Sequence, residues 1–240
     1  RRVFSQKRLE GYLKLGMMFI NIKHAALIPI ISMISCSTIP ENIGSGQRSV
    51  YKAISTAVFG SEIDIVTKEL VGNIPYASMK LQIGKGPTGL VILESINKDI
   101  TTWVSADGVY IQLKNGRIEA AQGLVNNLSN FRSSELTFKE IIDKEFNGTS
   151  YRYISLDSPT VLDMKVRVQT SIKGIQSIDL INSKRDLILV EEEIDNEFIG
   201  WEFINQYWVD PVDGFVWKSN QQFAPNLPAF LYEITRRPKQ

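Results

Sequence analysis

Val109-Tyr110-Ile111-Gln112-Leu113-Lys114-Asn115-Gly116-Arg117-Ile118 is the stretch that sets the fold class. Val109, Ile111 and Leu113 alternate with Tyr110, Gln112 and Lys114, the period of two that turns one side of a strand to a core and the other to water. The alternation stops at Asn115-Gly116, where both residues tolerate the positive φ that a two-residue type I′ turn demands. Such a turn pairs Leu113 with Ile118 and Ile111 with Ala120, so turn register and apolar pattern predict the same hairpin.

The same reading extends outward in both directions. Upstream, Ala77, Met79, Leu81 and Ile83 alternate with Ser78, Lys80 and Gln82 until Gly84-Lys85-Gly86-Pro87 breaks the strand. Residues 88–95 form an apolar strand, Asn97-Lys98-Asp99 turns the chain into residues 100–104, and Asp107-Gly108 marks the next turn. Residues 122–133 read as a polar loop. Downstream, Met164, Val166 and Val168 alternate with Lys165, Arg167 and Gln169, Lys173-Gly174 reads as a turn, and residues 178–181 and 187–194 as strands. Residues 201–209, a turn at 210–214, and residues 215–223 and 229–235 complete the series. About a dozen strands joined mostly by short turns describe a mainly β protein built as a large antiparallel meander, one face buried and one wet. Two or three short helices interrupt it: residues 49–59, one turn at 67–71, and residues 136–146, where Thr137 and Glu140 have capping-box spacing.

The N-terminal quarter has a different character. Residues 25–36, A-A-L-I-P-I-I-S-M-I-S-C, follow Lys23 and end on the single cysteine of the chain. An apolar run of this length behind a positive charge is a secretory signal, too short to cross a hydrocarbon core of about 30 Å as a helix. Met33-Ile34-Ser35 before Cys36 resembles a bacterial lipobox, with Met and Ser where Leu and Ala or Gly are usual; Cys36 is then the thiol that takes the lipid, and more than one acyl chain is needed for stable attachment. The other reading of Cys36 is a small buried hydrophobe. Residues 1–35 are thus the export region, with translation expected to start at Met17 or Met18 and residues 1–16 an upstream extension; a genuine basic n-region is the rival. Residues 36–48, rich in Ser, Gly and Pro, form a flexible tether, and residues 49–240 a single β-rich periplasmic domain.

Composition then excludes several chemistries. The whole chain carries 27 basic and 26 acidic side chains, but residues 1–35 hold six of the bases and one of the acids, leaving 21 against 25. Without a basic stripe, nucleic acid is not an expected partner. His24 is the one histidine and lies in the export region, so the mature part has no Ser/His/Asp or Cys/His nucleophile and no imidazole or thiolate metal site. No cofactor is expected.

Carboxylate chemistry and aromatic recognition are what remain. Trp103, Trp201, Trp208 and Trp217 all fall in predicted strands, where they either fill the core or stack on sugar rings and anchor a partner. On the 201–209 strand, Trp201, Phe203, Tyr207 and Val209 share one face and Trp208 takes the other. With Asp107 and Asp210 these residues make the candidate glycan or partner patch: Trp103, Asp107, Trp201, Tyr207, Trp208, Asp210 and Trp217. Asp107, Asp210 and Asp213 could serve a glycosidase, yet each sits beside Gly or Pro in a turn, where Asp belongs for backbone reasons. Glu191-Glu192-Glu193 reads as a solvated strand end rather than a calcium site.

Taken as an ordered series, the motifs resemble the YjbF/GfcB-type lipoproteins of exopolysaccharide and group 4 capsule operons. The series is Cys36 with its signal, P-Y-A-S at 75–78, W-V-S-A-D-G at 103–108, N-G-R-I at 115–118, G-L at 123–124, Y-W-V-D at 207–210, G-F-V-W-K-S at 214–219 and P-N-L-P at 225–228. The resemblance implies a sheet curled into a half-barrel or sandwich, and a lipid-anchored protein at the periplasmic face of the outer membrane. It also implies a part in making or exporting an extracellular polysaccharide. An outer-membrane β-barrel and a small periplasmic protein of the same operon are the partners it suggests, beside the polysaccharide itself. The readings that follow are a non-enzymatic binding module, a carboxylate-based glycan hydrolase or lyase, and a chaperone for an outer-membrane barrel.

Overall fold

A computed structural model describes residues 66–106, 108–123, 128–133, 135–157, 160–225 and 227–239. Cys36, the tether, the expected helix at 49–59 and Asp107 lie outside the described residues. In chain order come α1 (Lys68–Gly72), β1 (Ser78–Ile83), β2 (Thr88–Asn97), β3 (Ile100–Ser105), β4 (Tyr110–Lys114), β5 (Arg117–Gln122) and β6 (Leu128–Ser133). They are followed by α2 (Phe138–Asp143), β7 (Gly148–Asp157), β8 (Thr160–Leu180), β9 (Ser183–Asn196), β10 (Trp201–Val209), β11 (Val216–Gln221) and β12 (Phe230–Arg236). Both helices start where their caps place them. The Thr67 hydroxyl accepts from the Leu70 amide, and Thr137 and Glu140 exchange backbone and side-chain hydrogen bonds as a capping box.

Every strand pairs antiparallel with its neighbours in sequence, and β1 pairs with β12 as well as with β2, so the curled meander closes on itself as a barrel. A closed barrel of more than about eight strands encloses more space than its wall side chains fill. Here opposite walls meet instead. The Gly116 carbonyl, in the β4–β5 turn, accepts from Gln221 Nε2 at 2.8 Å and from the Tyr232 hydroxyl at 2.7 Å, and the Ile118 amide donates to Gln221 Oε1 at 3.0 Å. These partners stand four to six strands apart round the twelve-strand order. The barrel is therefore flattened toward a sandwich, and Trp103, Tyr207, Tyr232, Phe138 and Phe230 fill what remains. α2 enters from one open end, carrying Phe138 and Ile141 into the core.

On β1, β11 and β12 charged side chains lie on the outer face. Lys80, Glu233 and Lys218 stand opposite one another across β1, β12 and β11, while their neighbours Tyr232 and Ser219 point inward and are buried. At these three positions the outer face is polar, where a membrane-spanning barrel carries an apolar band.

Three local expectations are corrected. The hairpin turn forms as read, with φ of 50° at Asn115 and 81° at Gly116, and Leu113 faces Ile118, but a bulge past Leu113 then sets Ile111 against Ala121 rather than Ala120. The bulge turns Ala121 inward, where it is 1% exposed. Residues 128–133, expected as loop, are β6: Leu128 is fully buried, and hydrogen bonding to β7, itself not foreseen, overrides the polar composition. Lys173-Gly174 is not a turn. Gly174, with φ of 107°, makes a bulge within β8, and the hairpin closes instead at Ile181-Asn182. A bulge bends a strand. β10 covers β9 only as far as Ile188, so the rest of the β8–β9 ribbon projects as an arm. The arm lies back on β11 and β12: Ile181 N donates to Glu233 Oε1 at 2.5 Å, and the Arg185 guanidinium sits 3.8 Å from the Trp217 ring.

Candidate functional site

The antiparallel order gathers the β2–β3 turn, the β4–β5 turn, the β10–β11 loop and the end of β12 at one mouth of the barrel. Between them lies a cleft of about 490 Å³. Its walls are apolar, made by Ile96, Trp103, Leu113, Phe215, Val216 and Tyr232, and its rim carries Lys98, Asp99, Asn115, Asp213 and Arg237.

Each rim group is placed by its turn. Asp210 opens the β10–β11 loop by accepting from the Val212 amide, and its second oxygen accepts from Trp217 Nε1 at 3.2 Å. Asp213 accepts from the Phe215 amide at 3.0 Å and from Arg237 at 2.6 Å. Partial burial pushes the Asp213 carboxyl up, but that amide and that guanidinium outweigh it and hold it below its ordinary value. Arg237 lies 4.2 Å from the Phe215 ring, which meets Trp217 edge-on. Gly214, with φ of 74°, lets the loop touch α2: a Cβ there would be 2.5 Å from the Lys139 amide nitrogen. Asp99 pairs with Lys114 at 3.7 Å. Among the described residues, Lys98 and the side chain of Asn115 have no partner, and both stand in the left-handed region, at φ of 56° and 50°.

The barrel interior holds a second cluster. Arg117 donates to Glu192 through Nε and Nη2, at 2.8 and 2.6 Å, and Arg152 donates to the other Glu192 oxygen at 2.8 Å and to Glu135 at 2.7 Å. The Tyr207 hydroxyl adds a bond to Glu192 at 3.1 Å, and Arg117 stacks 4.1 Å from the Phe138 ring. Burial alone would raise the Glu192 carboxyl, and the two guanidinium groups override it, bringing it down to about 2. Burial and the Glu192 charge push the Tyr207 phenol far above its usual value. Two cations and two anions thus close a neutral square inside the barrel.

The residues singled out from sequence fall in four places. Trp103 (1% exposed) forms cleft wall, and Trp217 (8%) lies behind Phe215, tied to Asp210. Tyr207 is fully buried beside the charge square, so it offers nothing to a surface patch. Trp201 (4%) is at the opposite end of β10, held by Gln222 through its ring nitrogen at 2.7 Å. Trp208 is half-buried on the outer face, donating to Gln176 in the arm at 3.0 Å. Buried rings at opposite ends of a strand do not make one stacking platform. Glu192, expected at a solvated strand end, is 0% exposed; Val190, Glu192 and Ile194 share the inward register, and that alternation is its visible signal. The cleft residues Lys98, Phe215, Tyr232 and Arg237 carry no such signal, because a closed barrel alone brings their turns together.

Closed, with charged side chains on the outer face of β1, β11 and β12 and a cleft at one mouth, the described residues form an antiparallel β-barrel domain. Residues 51–235 match the family described as group 4 capsule polysaccharide lipoprotein GfcB, YjbF, and the chain belongs to that family. It is 20% identical over 183 residues to the uncharacterized lipoprotein GfcB of Escherichia coli K12, spanning 75% of this chain and 86% of that protein. The crystal structure of the hypothetical lipoprotein YmcC from Escherichia coli K12 shares its fold, with a TM-score of 0.65 over 78% of this chain and 95% of the other at 18% identity.

Proposed function

We propose that this chain is a non-enzymatic binding module for the production or export of an extracellular or capsular polysaccharide. A lipid on Cys36 moors it to the periplasmic face of the outer membrane, and it holds a glycan chain or a partner of the export machinery, such as the outer-membrane barrel or the small periplasmic protein named above. The family supplies the polysaccharide. The fate of the mouth carboxylates supports the absence of catalysis. A glycosidase needs one carboxyl kept protonated and a second free to attack or to activate water. Asp210 spends both oxygens on Val212 and Trp217, and Asp213 is held ionised by Phe215 and Arg237.

The test is complementation of a strain lacking the gene, read as surface polysaccharide and its chain length. Wild type restores the polymer. Cys36→Ala takes up no labelled fatty acid and does not restore it. Single Asp107→Asn, Asp210→Asn and Asp213→Asn changes restore it with unaltered chain length. Polymer cleavage by the purified protein, abolished by one of these changes with folding intact, would establish a hydrolase or lyase instead.

A further inference from the structure

We infer that the cleft at the barrel mouth receives a sugar residue bearing a carboxylate, with the Lys98 ammonium reading the acid and Asn115 the neighbouring hydroxyls. This rests on the glycan-holding form of the proposed function and names the class of sugar.

Of the four charged groups on the rim, Asp213 is paired with Arg237 at 2.6 Å, and Asp99 shares the Lys114 ammonium with Glu119, each at 3.7 Å. Lys98 is the remaining one, and a lone ammonium at the edge of a partly enclosed apolar space attracts an anion. Lys98 stands at φ of 56° in a two-residue turn, a position that Gly or Asn occupies at lower cost. Asn115, in the adjacent turn, adds an amide that both donates and accepts, the pairing that vicinal hydroxyls need. The walls complete the fit. Ile96 is 47% exposed, and with the half-buried Phe215 it presents apolar surface for the C–H face of a pyranose. A volume of about 490 Å³ lies in the range of small-ligand sites and accepts a short stretch of polymer.

The experiment titrates the full chain in detergent micelles with a galacturonic acid tetrasaccharide and with the same oligosaccharide reduced at its carboxyls. Calorimetry gives the affinity, and the Lys98 and Ile96 variants report the place. The acidic oligosaccharide binds about tenfold more tightly than the neutral one, as one charge-assisted contact provides, and the gap narrows between about 50 and about 500 mM salt. Lys98→Asn, which suits the turn, erases the gap, Lys98→Arg keeps it, and Ile96→Ala weakens both ligands alike. Equal affinity for the two oligosaccharides, or an unchanged gap in Lys98→Asn, overturns the charge reading and leaves a glycan-holding module standing. Binding of neither overturns this inference, whereas the proposed function itself falls if surface polysaccharide is unaffected by loss of the gene or if the purified protein cleaves the polymer.

Discussion

The interior square and the mouth of the barrel contain the same parts in different surroundings. Inside, Arg117 pairs with Glu192 at 2.6 Å and stacks 4.1 Å from Phe138; at the mouth, Arg237 pairs with Asp213 at 2.6 Å and stacks 4.2 Å from Phe215. The side chains of the first pair are 5% and 1% exposed, those of the second 34% and 41%. Distance and chemistry are alike, so water decides what each pair does. An interior pair cannot be opened without stranding a charge in a poor dielectric, and it fixes which strands face each other. A pair at the mouth can be exchanged for a ligand at little cost, because water screens it already.

The largest effect should come from breaking the square. Glu192→Leu leaves Arg117 and Arg152 facing Glu135 alone, and loss of one partner of a buried pair costs about 3–5 kcal/mol. Guanidinium denaturation measures it, and a loss below about 1 kcal/mol would mean that water reaches the square. Acid should reveal the same energy in the unaltered chain. The folded Glu192 carboxyl lies at about 2 against an ordinary 4.5, a depressed value. Its contribution is whole above the unfolded pKa and is lost as pH falls from about 4.5 toward 2, to the extent of about 3 kcal/mol. Urea midpoints across that window should fall in wild type and fall less in Glu192→Gln.

Next in size is a change that links the two regions. Gly214 belongs to the mouth loop yet touches the start of α2, whose Phe138 lies beneath Arg117. Gly214→Ala puts a Cβ 2.5 Å from a backbone nitrogen at a positive φ, so the loop or the helix must give way, at about 2 kcal/mol. If the helix gives way, urea denaturation of Gly214→Ala and of its double with Glu192→Leu should show the two losses adding to less than their sum.

How much of this can be read beforehand follows from how local each cause is. The Asn115-Gly116 turn and the Thr137–Glu140 cap are decided within four residues, and both form as written. The strand number and the meander follow from repeated short-range alternation. Closure by β1 and β12 does not, since Met79 and Ile234 meet across most of the chain. Long-range pairing also accounts for the corrected expectations: β6 depends on β7 for its hydrogen bonds, and Gly174 is a bulge because β9 continues alongside it. The candidate patch does not gather on one surface for a related reason. Alternation identifies aromatic residues in strands, but which side of the sheet lies inside, and that Arg185 covers Trp217 from a folded-back arm, depend on contacts between distant segments.

The smallest effect is the one on which the comparison most depends. Asp213→Asn keeps an oxygen for the Phe215 amide and removes only the charge that faces Arg237. If the mouth is governed by water, the loss in urea should stay under about 1 kcal/mol and shrink further in high salt, because an exposed pair gains little and is screened. A loss of the size expected for Glu192→Leu would mean that Arg237 is locked into the fold as firmly as Arg117. Lys98 would then be the one adaptable cation at the mouth, and ligand recognition there would have to proceed through it without help from its neighbour.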